Sequence, residues 1–226
     1  MTKRAAVIAI DGPSGAGKGT VCARLAEQLN WHLLDSGALY RITGLAASRK
    51  QIALDDEPAV AAVAASLDVR FAPTAEGVEV MLEGENVTTT IRTEDVGSLA
   101  SQVAALPAVR DALLQRQRDF RAAPGLIADG RDMGTVVFTD AEVKVFLTAS
   151  AEERGRRRHQ QLLDKGINAS LLALIEDIQA RDERDSNRAV APLRPAEDAQ
   201  VIDSTELSID EVCSQVLQLV REAGLI

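Results

Sequence analysis

Apolar residues follow two rhythms along this chain. The first is a set of short runs, at 5–10 (AAVIAI), 32–34, 126–128, 143–147 (VKVFL) and 201–202. All are brief, and the first is β-branched and wholly apolar, as expected of a buried parallel strand. Between them apolar residues take helical spacing: Val21, Leu25 and Leu29 lie four apart, one face of an amphipathic helix over 21–29. Ser150 precedes Glu153 by three, the spacing of a capping box, so a helix starts there. A last helix is predicted at about 209–222. Short strands separated by helices predict an α/β fold, a doubly wound parallel sheet of five strands. One region departs from this order. Residues 67–71 (LDVRF), 78–82 (VEVML) and 87–91 (VTTTI) have a period of two, with turn signals at 73–77 and 83–86. They predict a small antiparallel sheet inserted between helices, after an Ala-rich helix at 59–65.

The first strand runs into Ile10-Asp11-Gly12-Pro13-Ser14-Gly15-Ala16-Gly17-Lys18-Gly19-Thr20, and a helix follows. Gly12, Gly15 and Gly17 let the backbone turn and let a ligand approach it closely. Successive N–H groups, the helix N-terminus and Lys18 together make a cradle for anions, of the kind that holds nucleotide phosphates. The spacing from Gly12 to Lys18 fits G-x-x-x-x-G-K; the hydroxyl that normally follows the lysine comes one place later, at Thr20. Such a P-loop specifies phosphate, not a reaction.

Composition narrows the partner. The chain has 226 residues, 46% of them hydrophobic, enough for one α/β domain with insertions. Aromatic content of 3% and a net charge of −9 disfavour nucleic acid and anionic membranes as partners. Cys22 and Cys213 are far apart and lie in predicted helices, as buried reduced thiols do. The first apolar run is too short for a signal peptide or a membrane span, so a cytoplasmic location is expected, and a monomer. In a doubly wound sheet ligands bind beyond the carboxyl ends of the strands, where Asp11, Asp35 and Asp129 fall. Arginines recur along the chain: Arg41, Arg110, Arg131, which follows a strand end at that rim, then Arg154, Arg156, Arg157 and Arg158, and Arg181, Arg184 and Arg188, where helical arginines such as Arg156 and Arg184 also fit ordinary solvated pairs with Asp or Glu. Arg181 and Arg188 share a face if the helix persists, with Asp185 on the same side. A lysine loop, arginine clusters and an acidic surface suit phosphoryl transfer to a small anionic acceptor, since charge must be neutralised where two phosphates meet.

Several longer stretches now fit one pattern. GPSGAGKGT, LLDSGALYR, the strand-bearing insert, LIADGRDMGTVVF and RDERDSNRAVAPL occur in order across nearly the whole chain and together resemble the bacterial cytidylate kinases, nucleoside monophosphate kinases. The resemblance implies a single P-loop kinase domain over 1–226, with an embedded monophosphate-binding region at 40–105, its β insert at about 67–91, and a helical lid at 152–170. It implies transfer from ATP, with magnesium, to CMP or dCMP. Gly12, Pro13, Ser14, Gly15, Ala16, Gly17, Lys18, Gly19 and Thr20 would hold the ATP phosphates, and Arg154, Arg157 and Arg158 would belong to the lid over the donor. Ser36, Arg41, Arg131 and Arg188 would hold the acceptor phosphate. Ser101, Arg110 and Asp132 would read cytosine, and Arg181 and Asp185 would reach the sugar. Lys18, Arg131, Arg157 and Arg188 would act in catalysis, while Thr20 and Asp129, the latter through water, would serve the metal. Gly155 and Arg156 have no implied role.

Three other readings were weighed. An adenylate, uridylate or shikimate kinase is disfavoured by the insert and by DGRDMG. A GTPase switch would need N-K-x-D after a late strand, and a motor or transporter ATPase a partner signature such as LSGGQ. The sequence contains neither.

Overall fold

Strand β1 (Ala6–Asp11) has Val7, Ile8, Ala9 and Ile10 fully buried and pairs with a strand on each side. The computed structural model describes residues 4–74, 77–164 and 166–226. In chain order β1 leads to α1 (Lys18–Leu29), β2 (His32–Asp35), α2 (Ser36–Arg49), α3 (Glu57–Ala65), β3 (Val69–Thr74), β4 (Gly77–Leu82), β5 (Glu85–Asn86), α4 (Glu94–Val103) and α5 (Pro107–Arg118). Then come β6 (Gly125–Gly130), a π-helical turn (Met133–Val137), β7 (Val143–Thr148), α6 (Ala151–Leu163), α7 (Leu171–Ser186), β8 (Gln200–Asp203) and α8 (Ile209–Glu222).

Two compact units result. The first joins the residues up to Asp35 with Gln117–Ile226; the second is Ser36–Arg116. In the first, five parallel strands lie in the order β2-β6-β1-β7-β8. The expected α/β sheet is therefore present, and parallel pairing brings the carboxyl ends of all five strands to one rim. Asp129 is level with both Ile10 and Asp35 across the sheet. Helices α1 and α8 cover one face, where Val21, Leu25, Val212, Val216 and Val220 join the sheet residues Ile8, Ile10, Val145 and Leu147 in one core. Helix α8 starts with a full capping box at Ser208 and Glu211. At α6 Ser150 accepts from the Glu153 N–H at 3.1 Å, whereas the Glu153 carboxylate pairs with Arg157. Cys22 and Cys213 are buried free thiols, and burial pushes both up.

The second unit packs α2 against α4 so closely that a Cβ on Gly44 would lie 2.8 Å from the Leu99 Cβ. Its antiparallel sheet has the order β3-β4-β5. The expected third strand at 87–91 is corrected: only Glu85–Asn86 pairs with β4, and Thr90–Arg92 forms a 3-10 turn. The cause is local. Asn86 Oδ1 accepts from the Thr88 N–H, and Thr88 Oγ1 takes the Val80 N–H that a continuing strand would have paired. Of the turn expected at 73–77, residues 75 and 76 lie outside the described residues, as does Lys165 in the segment 152–170. A second correction concerns α7. It ends at Ser186 with Asn187 as its cap, so Arg188 lies beyond the helix and not on a face shared with Arg181.

Candidate active site

The loop after β1 can be built only with glycine at its start. Gly12 has φ +149°, and a Cβ there would lie 1.9 Å from the Leu147 carbonyl oxygen of β7. Gly17, at φ +93°, caps α1 and delivers Lys18 as the first helical residue. Lys18 is buried; its Nζ donates to the Pro13 carbonyl at 2.8 Å and lies 3.9 Å from Asp129 Oδ1. Burial and then the nearby Arg131 charge pull Lys18 down to about 8, against the attraction of Asp129. Burial likewise raises Asp129 to about 6, opposed by Lys18 and reinforced by the Asp35 carboxylate beside it.

The end of β6 continues this row of charges. Burial works against the Arg131 cation, but Asp185 outweighs it and holds the guanidinium above its usual value. The Arg131 Nε donates to Asp185 Oδ2 at 2.8 Å, and Arg188 donates to Oδ1 of the same carboxylate. Arg181 also acts on Asp185, so one buried acid serves three arginines and is kept well ionised despite its burial. Two cations, Lys18 and Arg131, are thus held side by side by acids placed around them. Such preassembled positive charge suits phosphate oxygens, because the protein has already met the cost of bringing like charges together.

Arg154 and Arg157 hold the loop from the α6 side. Arg154 is buried; it donates to the Ala149 and Ser14 carbonyls, each at 2.9 Å, and forms a two-pronged pair with Asp182 of α7. A Cβ on Gly15 would be 3.2 Å from the Arg154 Cβ, so the loop lies directly on this arginine. Arg157 bonds Glu153 and the Ser204 carbonyl at 2.6 Å, and the Ser204 hydroxyl reaches the Ala16 carbonyl at 3.2 Å. Arg158 donates to Gln161, and Arg156 is an exposed partner of Glu153. Gly155 gains a structural reason here: a Cβ would lie 2.5 Å from Ile175 Cγ1, so glycine sets the approach of α6 to α7.

The profile of the Cytidylate kinase family matches residues 8–222. The chain belongs to the cytidylate kinase family. A cytidylate kinase of Aeromonas hydrophila subsp. hydrophila is 63% identical over 217 residues, 96% of this chain and 94% of that one. One of Erwinia tasmaniensis is 60% identical and one of Shewanella frigidimarina 58% identical, each covering 98% of both chains.

The remaining positions expected to serve the acceptor in such a cytidylate kinase lie in the second unit, apart from Asp132. Ser36 opens α2 directly after Asp35 and is buried. Arg41 donates to the Ile91 and Thr93 carbonyls, at 2.7 and 3.2 Å. Arg110 is buried, donates to the Ala104 carbonyl at 3.1 Å, and stands over the Tyr40 ring at 5.6 Å from its centre, a cation–π contact. Ser101 is buried on α4. In the first unit Asp132 is buried immediately before the π-helical turn. Three residues emerge that sequence reasoning did not single out as site residues: Asp11, which grips that turn, Asp182 and Ser204. Each acts on a segment far away in sequence. Only Asp11, at a strand end before a glycine loop, carried a local signal.

Among the described residues, no three His, Cys, Asp or Glu side chains converge as a metal cage, and no helix is long and apolar enough to cross a membrane. The exposed Thr20 hydroxyl and the Asp129 carboxylate are hard oxygen donors on the phosphate side of the site. They fit magnesium, which takes few protein ligands and completes its shell with phosphates and water.

Proposed function

We infer that this chain transfers the γ-phosphoryl group of ATP to CMP or dCMP, giving ADP and CDP or dCDP, in pyrimidine nucleotide metabolism. The observation that carries this reading is the chain of charges Lys18–Asp129–Arg131–Asp185–Arg188, running from the loop after β1 past the end of β6 to the end of α7, in a cytidylate kinase family member. On this reading the backbone of residues 12–20 cradles the ATP phosphates and Lys18 bridges to the transferring group. Arg154 acts on the donor through the Ser14 carbonyl, which it fixes. Arg157 and Arg158 belong to the lid at 152–170. Arg131 and Arg188, with Ser36 and Arg41, hold the acceptor phosphate. Ser101, Arg110 and Asp132 read the cytosine, and Arg181 and Asp185 reach the sugar. The segment 40–105 is the acceptor region of a single kinase fold.

Magnesium entering with ATP would offset phosphate charge, held by Thr20 and, through water, Asp129. The chain's own groups supply the rest. An acceptor phosphate is already anionic at neutral pH, so no side chain need remove a proton. Catalysis then comes from alignment and from cations that bind the spread charge of the transition state better than the ground state. The lid keeps water from the γ-phosphate. Buried free thiols and small anionic substrates support a cytoplasmic location. The test is product identity. Phosphorus NMR of the enzyme with ATP, magnesium and CMP should show equal growth of ADP and CDP. Growth of ADP with inorganic phosphate and no CDP would replace the kinase reading with a hydrolase.

A further inference from the structure

We propose that Asp11 is a positioning residue that locks the loop bearing Arg131 and Asp132 to the strand from which the phosphate cradle departs. Asp11 is the last residue of β1 and is 4% exposed. Its Oδ1 accepts the Met133 N–H at 2.7 Å and its Oδ2 accepts the Gly134 N–H at 2.8 Å. A single carboxylate thus closes over two successive backbone donors, one oxygen to each. The Asp132 carbonyl accepts from the Val136 and Val137 N–H groups, at 2.9 and 3.1 Å. The peptide on the far side of Asp132 is therefore fixed by Asp11, and its own carbonyl by the turn. Gly134 also lies beside the Lys144 side chain: a Cβ there would stand 3.2 Å from Lys144 Cδ, and in ordinary contact, at 3.5 Å, with Asp11 Oδ2.

Burying a carboxylate is costly, and an apolar side chain at the end of β1 would avoid that cost. What a carboxylate offers, and no neutral side chain of its length does, is two acceptors at fixed spacing. The residue after Asp11 is Gly12, which starts the cradle. One side chain thereby sets the distance between the donor cradle and the loop that carries Arg131 and Asp132. Transfer between two bound nucleotides depends on that distance to a fraction of an ångström. The inference rests on the reading that Arg131 and Asp132 face the acceptor.

Asp11→Asn tests it, since the amide keeps one acceptor and turns an NH2 toward a backbone N–H. Amide exchange at Met133 and Gly134 should accelerate while β6 stays protected. The KM for CMP should rise about tenfold and the CMP/UMP ratio of kcat/KM should fall, the scale of one lost charge-assisted contact. ATP affinity, titrated directly without CMP, should stay within about twofold. Faster exchange with unchanged CMP kinetics, or unchanged exchange, would overturn the proposal. A purely structural role would lower stability without moving the ratio. Should Asp11→Asn fail to fold, Asp11→Ser leaves a shorter side chain with a single acceptor oxygen and should shift the same two readouts in the same direction; no shift overturns the idea. Arg131→Ala and Asp132→Asn, measured alongside, separate the layers. If they leave CMP kinetics unchanged, the acceptor reading itself fails. If they change them and Asp11→Asn does not, the positioning role alone fails.

Discussion

Lys18 sits under opposing demands: burial and Arg131 discourage its charge, and Asp129 and Asp11 favour it. Its pKa is pulled down to about 8, so on the proposed reading it is the cationic form, present below that pH, that would meet ATP. The predicted consequence is a kcat/KM for ATP that falls as pH rises through about 8, because that ratio reports the free enzyme. A profile flat to well above pH 9 would remove Lys18 from the titrating role. Lys18→Ala should abolish turnover even at saturating ATP, since its charge is needed most in the transition state; recovery of kcat at high ATP would reduce it to a binding group. The base-reading claim is tested at Asp132. An ionised carboxylate only accepts, which suits the amino group of cytosine, whereas an amide can also donate to the O4 of uracil. Asp132→Asn should lower the CMP/UMP ratio of kcat/KM about tenfold or more, the equivalent of ~1.4 kcal/mol. Equal loss on both substrates would make Asp132 scaffold only. At this scale the cradle was legible because its glycines and lysine lie within nine residues and their spacing is the geometry. Asp11 was legible as a rim residue but not in its partners, 122 residues away; Asp182 and Ser204 were not, because their partners lie 28 and 188 residues away.

At the scale of elements, short apolar runs located the five parallel strands and periodicity the last helix; burial on both faces leaves unbroken runs in the central β1 and β6, whereas the edge strands β2 and β8 are largely exposed and β7 alternates. It failed where polar side chains intervened. In VTTTI the alternation favours a strand, but the Thr88 and Asn86 side chains take over backbone pairing and end it. Asn187 caps α7 and Pro192 follows soon after, so the helix does not extend, and Arg188 instead reaches Asp185 from outside it. Gly155 was opaque for another reason: its meaning is the Ile175 side chain on the neighbouring helix. Gly155→Ala should destabilise the fold by about 1–3 kcal/mol by forcing α6 and α7 apart. Ile175→Ala should be less costly in that background than in the wild type, a coupling readable from a double-mutant cycle of denaturation curves. Simple additivity would mean that the helices do not meet there as described.

For the molecule as a whole, composition and charge disfavour some partners and identify none; the order of motifs across nearly the full length supplied the identification, and the family match supports it. Two compact units were not evident from length or linkers, since no Gly- or Ser-rich tract marks Asp35 or Gln117. If the second unit serves the acceptor, hydrogen exchange over residues 77–92 should slow with CMP and not with ATP alone; the opposite pattern would assign the insert to the donor. The central claim, a kinase that selects cytosine monophosphates, is tested most directly by acceptor-dependent ADP release across CMP, dCMP, UMP, AMP and shikimate at fixed ATP and magnesium. The account predicts that CMP and dCMP exceed UMP, AMP and shikimate in kcat/KM by at least about tenfold, one well-formed base contact. Equal or higher efficiency on any of the other three, or ADP release that ignores the acceptor, would contradict it.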